Sequence, residues 1–301
     1  MVYVFICVDF DRDYGYPIRN IKHAVSKPIH LEKPNQINNP ETAISIQGTS
    51  RSFNPFMEFL ISKELPTCFY FEARSLDLFY NEHLNKAKLF DQSFFESGIH
   101  GFDHEDLIGE KTGLILDYIE EKQIISKAKK KIESLMKTEV FGFRAPYMKI
   151  SDRTLDILLE LGFVYDSSIY LESTHGLVPY LITNELVEFP VIKTPKTSPM
   201  KGMYTYLWPL FEGKRSVKET VDNYLQITRN SRDLYSYISI NLHSWHFAYN
   251  IEHNQYLSDS EIIQNLRMFE EIITKLENLE SVVFSTPKKW LEKHKELLNN
   301  S

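Results

Sequence analysis

Apolar and polar positions fall in alternating blocks along this chain. "VYVFICV" (Val2 to Val8) is a short β-rich apolar run, as a buried strand should be, and it stops at the polar stretch "DFDRDYG". "TCFYF" (67–71), "FFESGI", "EVFGF" (139–143), "FVYDSS", "LVEFPVI", "LYSYISINL" (234–242) and "SVVFS" repeat that pattern and predict further strands. Helical periodicity separates them. Asn54 followed by Pro55 predicts a helix start, with Phe56, Phe59 and Leu60 on the apolar face. Residues 113–137 form a long amphipathic pattern. Ser151 caps "DRTLDILLEL", which stops at Gly162. Ser258 and Glu261 form a capping box ahead of a stripe of Ile262, Leu266, Phe269, Ile273 and Leu276. "PKKWLEKHKELL" is the last helix.

Strands of four to eight residues alternating with helices predict an α/β chain built on a parallel sheet, open or closed into a barrel. No glycine-rich phosphate loop follows the first strand, so a Rossmann or P-loop reading has no support. The segment from Tyr14 to Ser52 is rich in Pro, Asn and Ser and predicts a long irregular loop, a feature often tied to function.

Composition narrows the picture. With 301 residues, 43% hydrophobic and 25% charged, the chain is ordinary globular material that needs no disulfide framework. A formal net charge of -7 gives a nucleic-acid partner no global electrostatic support. The basic run "KAKKKIESLMK" lies in a helical pattern and reads as a solvated face. Cys7 and Cys68 each sit in an apolar run and read as buried thiols in a reducing compartment. The N-terminus lacks the basic flank of a signal peptide, and no stretch approaches the roughly 20 apolar residues of a membrane span. The expectation is a cytoplasmic protein; its oligomeric state, homo-oligomer included, is open.

The chemistry-bearing residues cluster at strand ends. In "ESGIHGFDHEDL" (Glu96 to Leu107), His100 and His104 stand four apart, which on a helical turn would put both imidazoles on one side and let them grip a divalent metal. The alternative is two surface histidines in an acidic turn. Asp9 and Asp11 follow the first strand, Arg144 follows "VFGF" and His243 follows "YISINL". The C-terminal strand ends form one face of a barrel, and active sites of such folds lie there. Singly, Asp9 could cap a loop, Arg144 could be a surface charge and His243 a satisfied core histidine. Their shared placement favours the joint reading.

"VDFDRD", "HGFDH", "GFRAPY" and "NLHSW", in that order, resemble the successive motifs of the NodB-type polysaccharide deacetylases, carbohydrate esterase family 4. The resemblance runs roughly from Val2 to Trp245. It implies a single-domain, distorted (β/α) barrel over residues 1–301 and hydrolysis of an N-acetyl or O-acetyl group. It implies that Asp11, His100 and His104 hold a divalent metal, zinc by default, with cobalt, nickel or manganese compatible with the same donors. Asp9 matches the catalytic base, Arg144 the arginine paired with it, the backbone N–H of Tyr147 an oxyanion donor, and His243 the general acid. Trp245, Leu242 and Trp208 match substrate-pocket positions, the two tryptophans competing for one role.

The first motif departs from the commonest form, since Phe10 separates its two aspartates; Asp13 is an outside candidate for the metal. Asp166 and Glu188 are the candidates for the carboxylate that orients His243. His246 and His253 are expected in the pocket wall or at the surface, and the aromatics Tyr204 to Trp208 either stack on a sugar or pack as a lid. His175, His23, His30, His83 and His294 carry no assignment. The expected partner is a small or lipid-linked N-acetylated sugar precursor. Two alternatives stay open: an amidase acting on a cyclic, non-sugar amide, and an inactive barrel serving as a binding subunit.

Overall fold

The computed structural model describes residues 1–27, 44–197, 204–231, 233 and 235–298. The strands of its main sheet are β1 (Val2–Phe10), β2 (Thr67–Phe71), β3 (Phe95–Ile99), β4 (Gly142–Phe143), β5 (Tyr165–Asp166), β6 (Tyr180–Leu181), β7 (Val187–Glu188), β8 (Tyr237–His243) and β9 (Val282–Ser285). They run in the order β8-β1-β2-β3-β4-β5-β7-β6, with β9 also paired to β1. Every pairing is parallel except β7 with β6. The central strand β1 is buried at all nine positions. One of its edges pairs with β8 from Tyr3 to Asp9, and the remaining pairings are shared between β9 (Val2 to Phe5) and β2 (Ile6 to Phe10). The sheet curls into a distorted barrel, and single bridges from Leu177 to Tyr237 and from Tyr206 to Asn241 close the seam.

Among the described residues seven longer helices cover this sheet: α1 (Gln47–Ser62), α2 (Ala73–Glu82), α3 (Tyr118–Met136), α4 (Asp152–Glu160), α5 (Val217–Asn230), α6 (Asp259–Glu277) and α7 (Pro287–Leu298). Asp117, Ser151, Ser216 and Ser258 each start a helix with a full capping box. The stripe of α6 packs Phe269 against Phe56, Phe59 and Phe247. Among the described residues no helix is long and apolar enough to cross a membrane.

Two local expectations are corrected. Helix α1 begins at Gln47, so Asn54 and Pro55 lie inside it rather than at its start. The Asp13 carboxylate sets that start, accepting the Gly48 N–H at 2.9 Å. Proline is tolerated because Asn54 and Pro55 face solvent, where water can satisfy the carbonyl that loses its partner. The irregular segment is therefore shorter than expected. It holds a two-residue hairpin, Gly15–Tyr16 with Val25–Ser26. Its residues 28–43, on which any account of a closing loop depends, and His30 with them, lie outside the described residues.

Register aligns the strand ends. Phe10, Phe71, Ile99, Phe143, Asp166 and Glu188 form one row across six parallel strands. The residues one step beyond are therefore level too: Asp11, Glu72, His100, Arg144 and Ser167. One row below, the rings of Tyr70 and Tyr165 lie across Gly98 and Gly142. A Cβ at Gly142 would stand 2.0 Å from Cζ of Tyr165. Gly142→Ala should therefore destabilise the barrel by roughly 1–3 kcal/mol through overpacking. The check is a lowered denaturation midpoint with an unchanged m-value.

Candidate active site

The level strand ends form the floor of a cavity of about 640 Å³. Asp9 and His243 are register partners on β1 and β8, and both line it. His100 follows β3 and Arg144 follows β4, each tied to the preceding strand by a backbone hydrogen bond: His100 N–H to Phe71 O at 2.8 Å, and Arg144 N–H to Ile99 O at 2.8 Å.

Asp9 is buried and held on both oxygens. Arg144 Nη1 donates to Oδ1 at 2.9 Å, and the Tyr206 hydroxyl donates to Oδ2 at 2.9 Å. Burial alone would raise the Asp9 pKa, but Arg144, followed by His100 and His243, outweighs it and keeps the carboxyl below its usual range. Arg144 is fully buried, and each of its other two nitrogens has an acceptor: Ser167 O for Nε at 3.2 Å and Ser167 Oγ for Nη2 at 3.0 Å. Its guanidinium also lies 4.2 Å from the centre of the Tyr70 ring.

Asp11, His100 and His104 offer one donor atom each, all within 4.8 Å of one another, and all three residues are buried. The set fits a divalent metal. The Nδ1–H of His100 is committed to Arg144 O at 2.9 Å, which leaves Nε2 as the free donor. His104 Nε2 stands 3.5 Å from Asp11 Oδ2. Burial first, then His100 and Arg12, push the His104 pKa well down, so its imidazole is neutral, as a ligand must be.

The two histidines do not share a helix, contrary to the helical-turn expectation. A non-helical turn brings them together, with Gly101 at φ 77° and His104 itself at φ 54°. Their ring centres are 5.0 Å apart. A second cluster of His23, Asp103 and Glu105 has donor atoms equally close together. Asp13 belongs to neither cluster. Its carboxylate caps α1 and accepts the hydroxyls of Ser45 and Tyr256 at 2.7 and 2.8 Å.

His243 also differs from expectation. Neither Asp166 nor Glu188 orients it. Its Nδ1 lies 3.1 and 3.2 Å from the two oxygens of Asp11, which also accepts the Trp245 indole N–H at 2.8 Å. Burial alone would lower the His243 pKa, but Asp11 outweighs it and holds the ring above its ordinary value. Asp166 and Glu188 instead face each other away from His243. Asp166 accepts the Ser168 hydroxyl at 2.6 Å and Glu188 Oε1 accepts the Ile169 N–H at 3.1 Å. Among the described residues Glu188 Oε2 has no hydrogen-bond donor, and burial, followed by Asp166, pushes the Glu188 pKa well up.

The other expected positions separate. Trp245 lies buried on the cavity floor, and Trp208 lies on its rim, 36% exposed. Leu242 is fully buried and does not line the cavity. Side chains alternate along a strand, so with His243 turned to the cavity its neighbour turns into the core. Tyr147 and Met148 both have left-handed backbone, φ 59° and 56°, a strained turn that sets the Tyr147 ring edge-on against His104 with centres 4.7 Å apart. His246 is a buried wall residue with Nε2 3.4 Å from Glu212 Oε1, whereas His253 and His175 are exposed. Tyr206 was legible only as one of several aromatics; nothing in the local sequence marks its hydroxyl as a partner of Asp9.

Comparisons with known proteins bear on the family and the fold. A family model for polysaccharide deacetylase matches residues 47–165. A peptidoglycan deacetylase-like protein of Gibberella zeae is 33% identical over 84 residues, 28% of this chain and 23% of that protein, so the match spans under a quarter of the relative. A structure assigned to a polysaccharide deacetylase of Mycobacterium smegmatis is similar with a TM-score of 0.66 and 17% identity, covering 98% of this chain and 91% of that one. The Puue allantoinase is similar with a TM-score of 0.61 and 14% identity, covering 98% and 90%. At these identities the two structures bear on the fold alone.

The facing carboxyls of Asp166 and Glu188 yield a stability prediction. Burial raises both pKa values, most strongly for Glu188. An acid with a raised folded pKa contributes fully below its unfolded value and loses that contribution as pH climbs through the folded one. The parent should therefore lose stability relative to Glu188→Gln from about pH 4 upward, by about 1.4 kcal/mol per unit of raise. Urea midpoints of both proteins at pH 5 and pH 8 test this; the advantage of the variant should be larger at pH 8.

Proposed function

We propose that this chain is a member of the polysaccharide deacetylase family, a reading supported by the match over residues 47–165, and that it is a metal-dependent hydrolase removing the acetyl group from an N-acetylated sugar. The observation that carries the reading is one cavity floor on which an Asp9–Arg144 pair, a three-donor cluster and His243 meet. A divalent metal, zinc by default, held by Asp11, His100 and His104 would polarise the acetyl carbonyl and acidify the attacking water. Asp9, kept ionised by Arg144, takes a proton from that water. His243, oriented through Nδ1 by Asp11, presents Nε2 to give a proton to the departing nitrogen, without which an amide is a very poor leaving group. Tyr147 lines the same cavity, and its backbone N–H would serve as an oxyanion donor. The products are acetate and the free amine.

The walls support a sugar substrate. Tyr14, Tyr170, Tyr204 and Trp208 offer aromatic faces above the polar floor, the surface on which a pyranose ring packs. The cavity volume suits a small or precursor-sized substrate, within the range of small-molecule sites. Cys7 and Cys68 stand as free buried thiols, which supports a reducing, cytoplasmic setting. A second reading, hydrolysis of a cyclic non-sugar amide, is compatible with the same fold, and a cyclic ureide offered beside N-acetylated sugars separates the two.

His100→Ala and His104→Ala should each lose bound metal and acetate release while keeping the parent circular dichroism spectrum. Metal analysis after dialysis is the check, and full occupancy in both variants would sink the assignment. His243→Ala should lower amide hydrolysis by roughly 10²–10⁴ and spare an activated acetyl ester, which needs little leaving-group protonation. Equal losses on the two substrates would rule out the acid role.

A further inference from the structure

We infer that Arg12 is a positioning residue for the metal-ligand set, clamping the loop that carries Asp11 to the loop that carries His100 and His104. The inference rests on the proposed metal site and concerns what holds its donors in place. Arg12 is fully buried and directly follows Asp11. Its backbone N–H donates to Glu72 Oε2 at 2.9 Å, and its Nε donates to Glu72 Oε1 at 2.8 Å. Its Nη2 bonds Glu72 as well and reaches Asp103 Oδ1 at 3.1 Å, while Nη1 bonds Ala24 O.

Glu72 is the residue from which α2 starts, and the first amides of α2 hold the histidine loop. Ala73 N–H donates to Gly101 O at 3.1 Å, and Arg74 N–H donates to Phe102 O at 2.9 Å. Arg74 Nε also binds Asp103 Oδ1 at 3.0 Å. Both ligand loops are therefore fastened to one helix terminus, and Arg12 is the side chain that touches both. This also explains the second cluster. Asp103 is already neutralised by two guanidiniums, so His23, Asp103 and Glu105 form part of the clamp and make a poor site for a further cation.

The guanidinium geometry is what the clamp needs. Three nitrogens reach three acceptors in a fixed fork, whereas a lysine ammonium has the same charge but cannot span Glu72, Ala24 and Asp103 from one rigid plane. Groups that hold metal ligands in place typically contribute 10–100-fold in metal affinity. Arg12→Lys should therefore raise the zinc Kd by about 10–100-fold.

The test uses the full chain, with zinc affinity from competition against a chelator and amide hydrogen exchange without metal, both run well below the melting point of each variant. In Arg12→Lys, exchange should quicken at residues 11–13 and 100–105 and stay unchanged in α6. A variant with a lower melting temperature but parent zinc affinity and parent exchange in both loops overturns the inference. Should Arg12→Lys fail to fold, Asp103→Ala removes the acceptor by which Arg12 reaches the histidine loop and should weaken zinc by about 10-fold; parent affinity there overturns it equally. A parent chain that binds no zinc refutes the metal site itself, and the exchange arm still decides whether Arg12 joins the two loops.

Discussion

Parallel pairing at a single register is the constraint on which the remainder of this molecule depends. Because Phe10, Phe71, Ile99 and Phe143 sit side by side, the residues after them leave the sheet at one height. Asp11, Glu72, His100 and Arg144 come from four separated stretches of chain and still converge. A slip of one residue on any strand would turn its functional side chain to the opposite face. The tyrosines laid over Gly98 and Gly142 oppose such slips, since a displaced side chain would have to occupy space that the rings already fill.

Burial makes the floor of the cavity electrostatically strong and costly at once. The Asp9–Arg144 pair is removed from water, and a buried pair is tolerable when the remaining donors and acceptors are satisfied. Here Ser167 takes the spare donors of Arg144, and Tyr206 takes the second oxygen of Asp9. Asp11 is more heavily engaged still, with the Trp245 indole and His243 on its oxygens and His104 nearby. One carboxylate thus links the donor cluster to His243, so a change at Asp11 alters the surroundings of both.

The ion network beneath the floor differs in kind. Arg12, Glu72, Asp103 and Arg74 do not line the cavity. They connect the backbone of two loops to the start of α2, and helix amides complete the attachment. Asp166 and Glu188, farther round the barrel, form a third polar group, two buried carboxyls whose pKa values burial pushes up. Each of the three groups lies at or just beyond the strand ends, where the sheet stops supplying backbone partners.

Much of this was legible from residues in order. Strand and helix alternation follows from short-range periodicity, and the caps at Ser151 and Ser258 involve partners three residues away. The four motif words carry the family resemblance without any structure. Sequence alone did not determine what each polar side chain touches. Asp13 caps a helix 35 residues on, Tyr206 meets Asp9 across 197 residues, and His243 meets Asp11 across 232. No local pattern encodes such contacts; strand order and register create them. The same reason accounts for the misplaced start of α1, where Asn54 and Pro55 offered a sound local signal and the distant carboxylate of Asp13 prevailed. The residue types and their order were written in the chain, while the pairing of Asp9 with Tyr206, His243 with Asp11, and Arg12 with the histidine loop was decided by the curl of one largely parallel sheet.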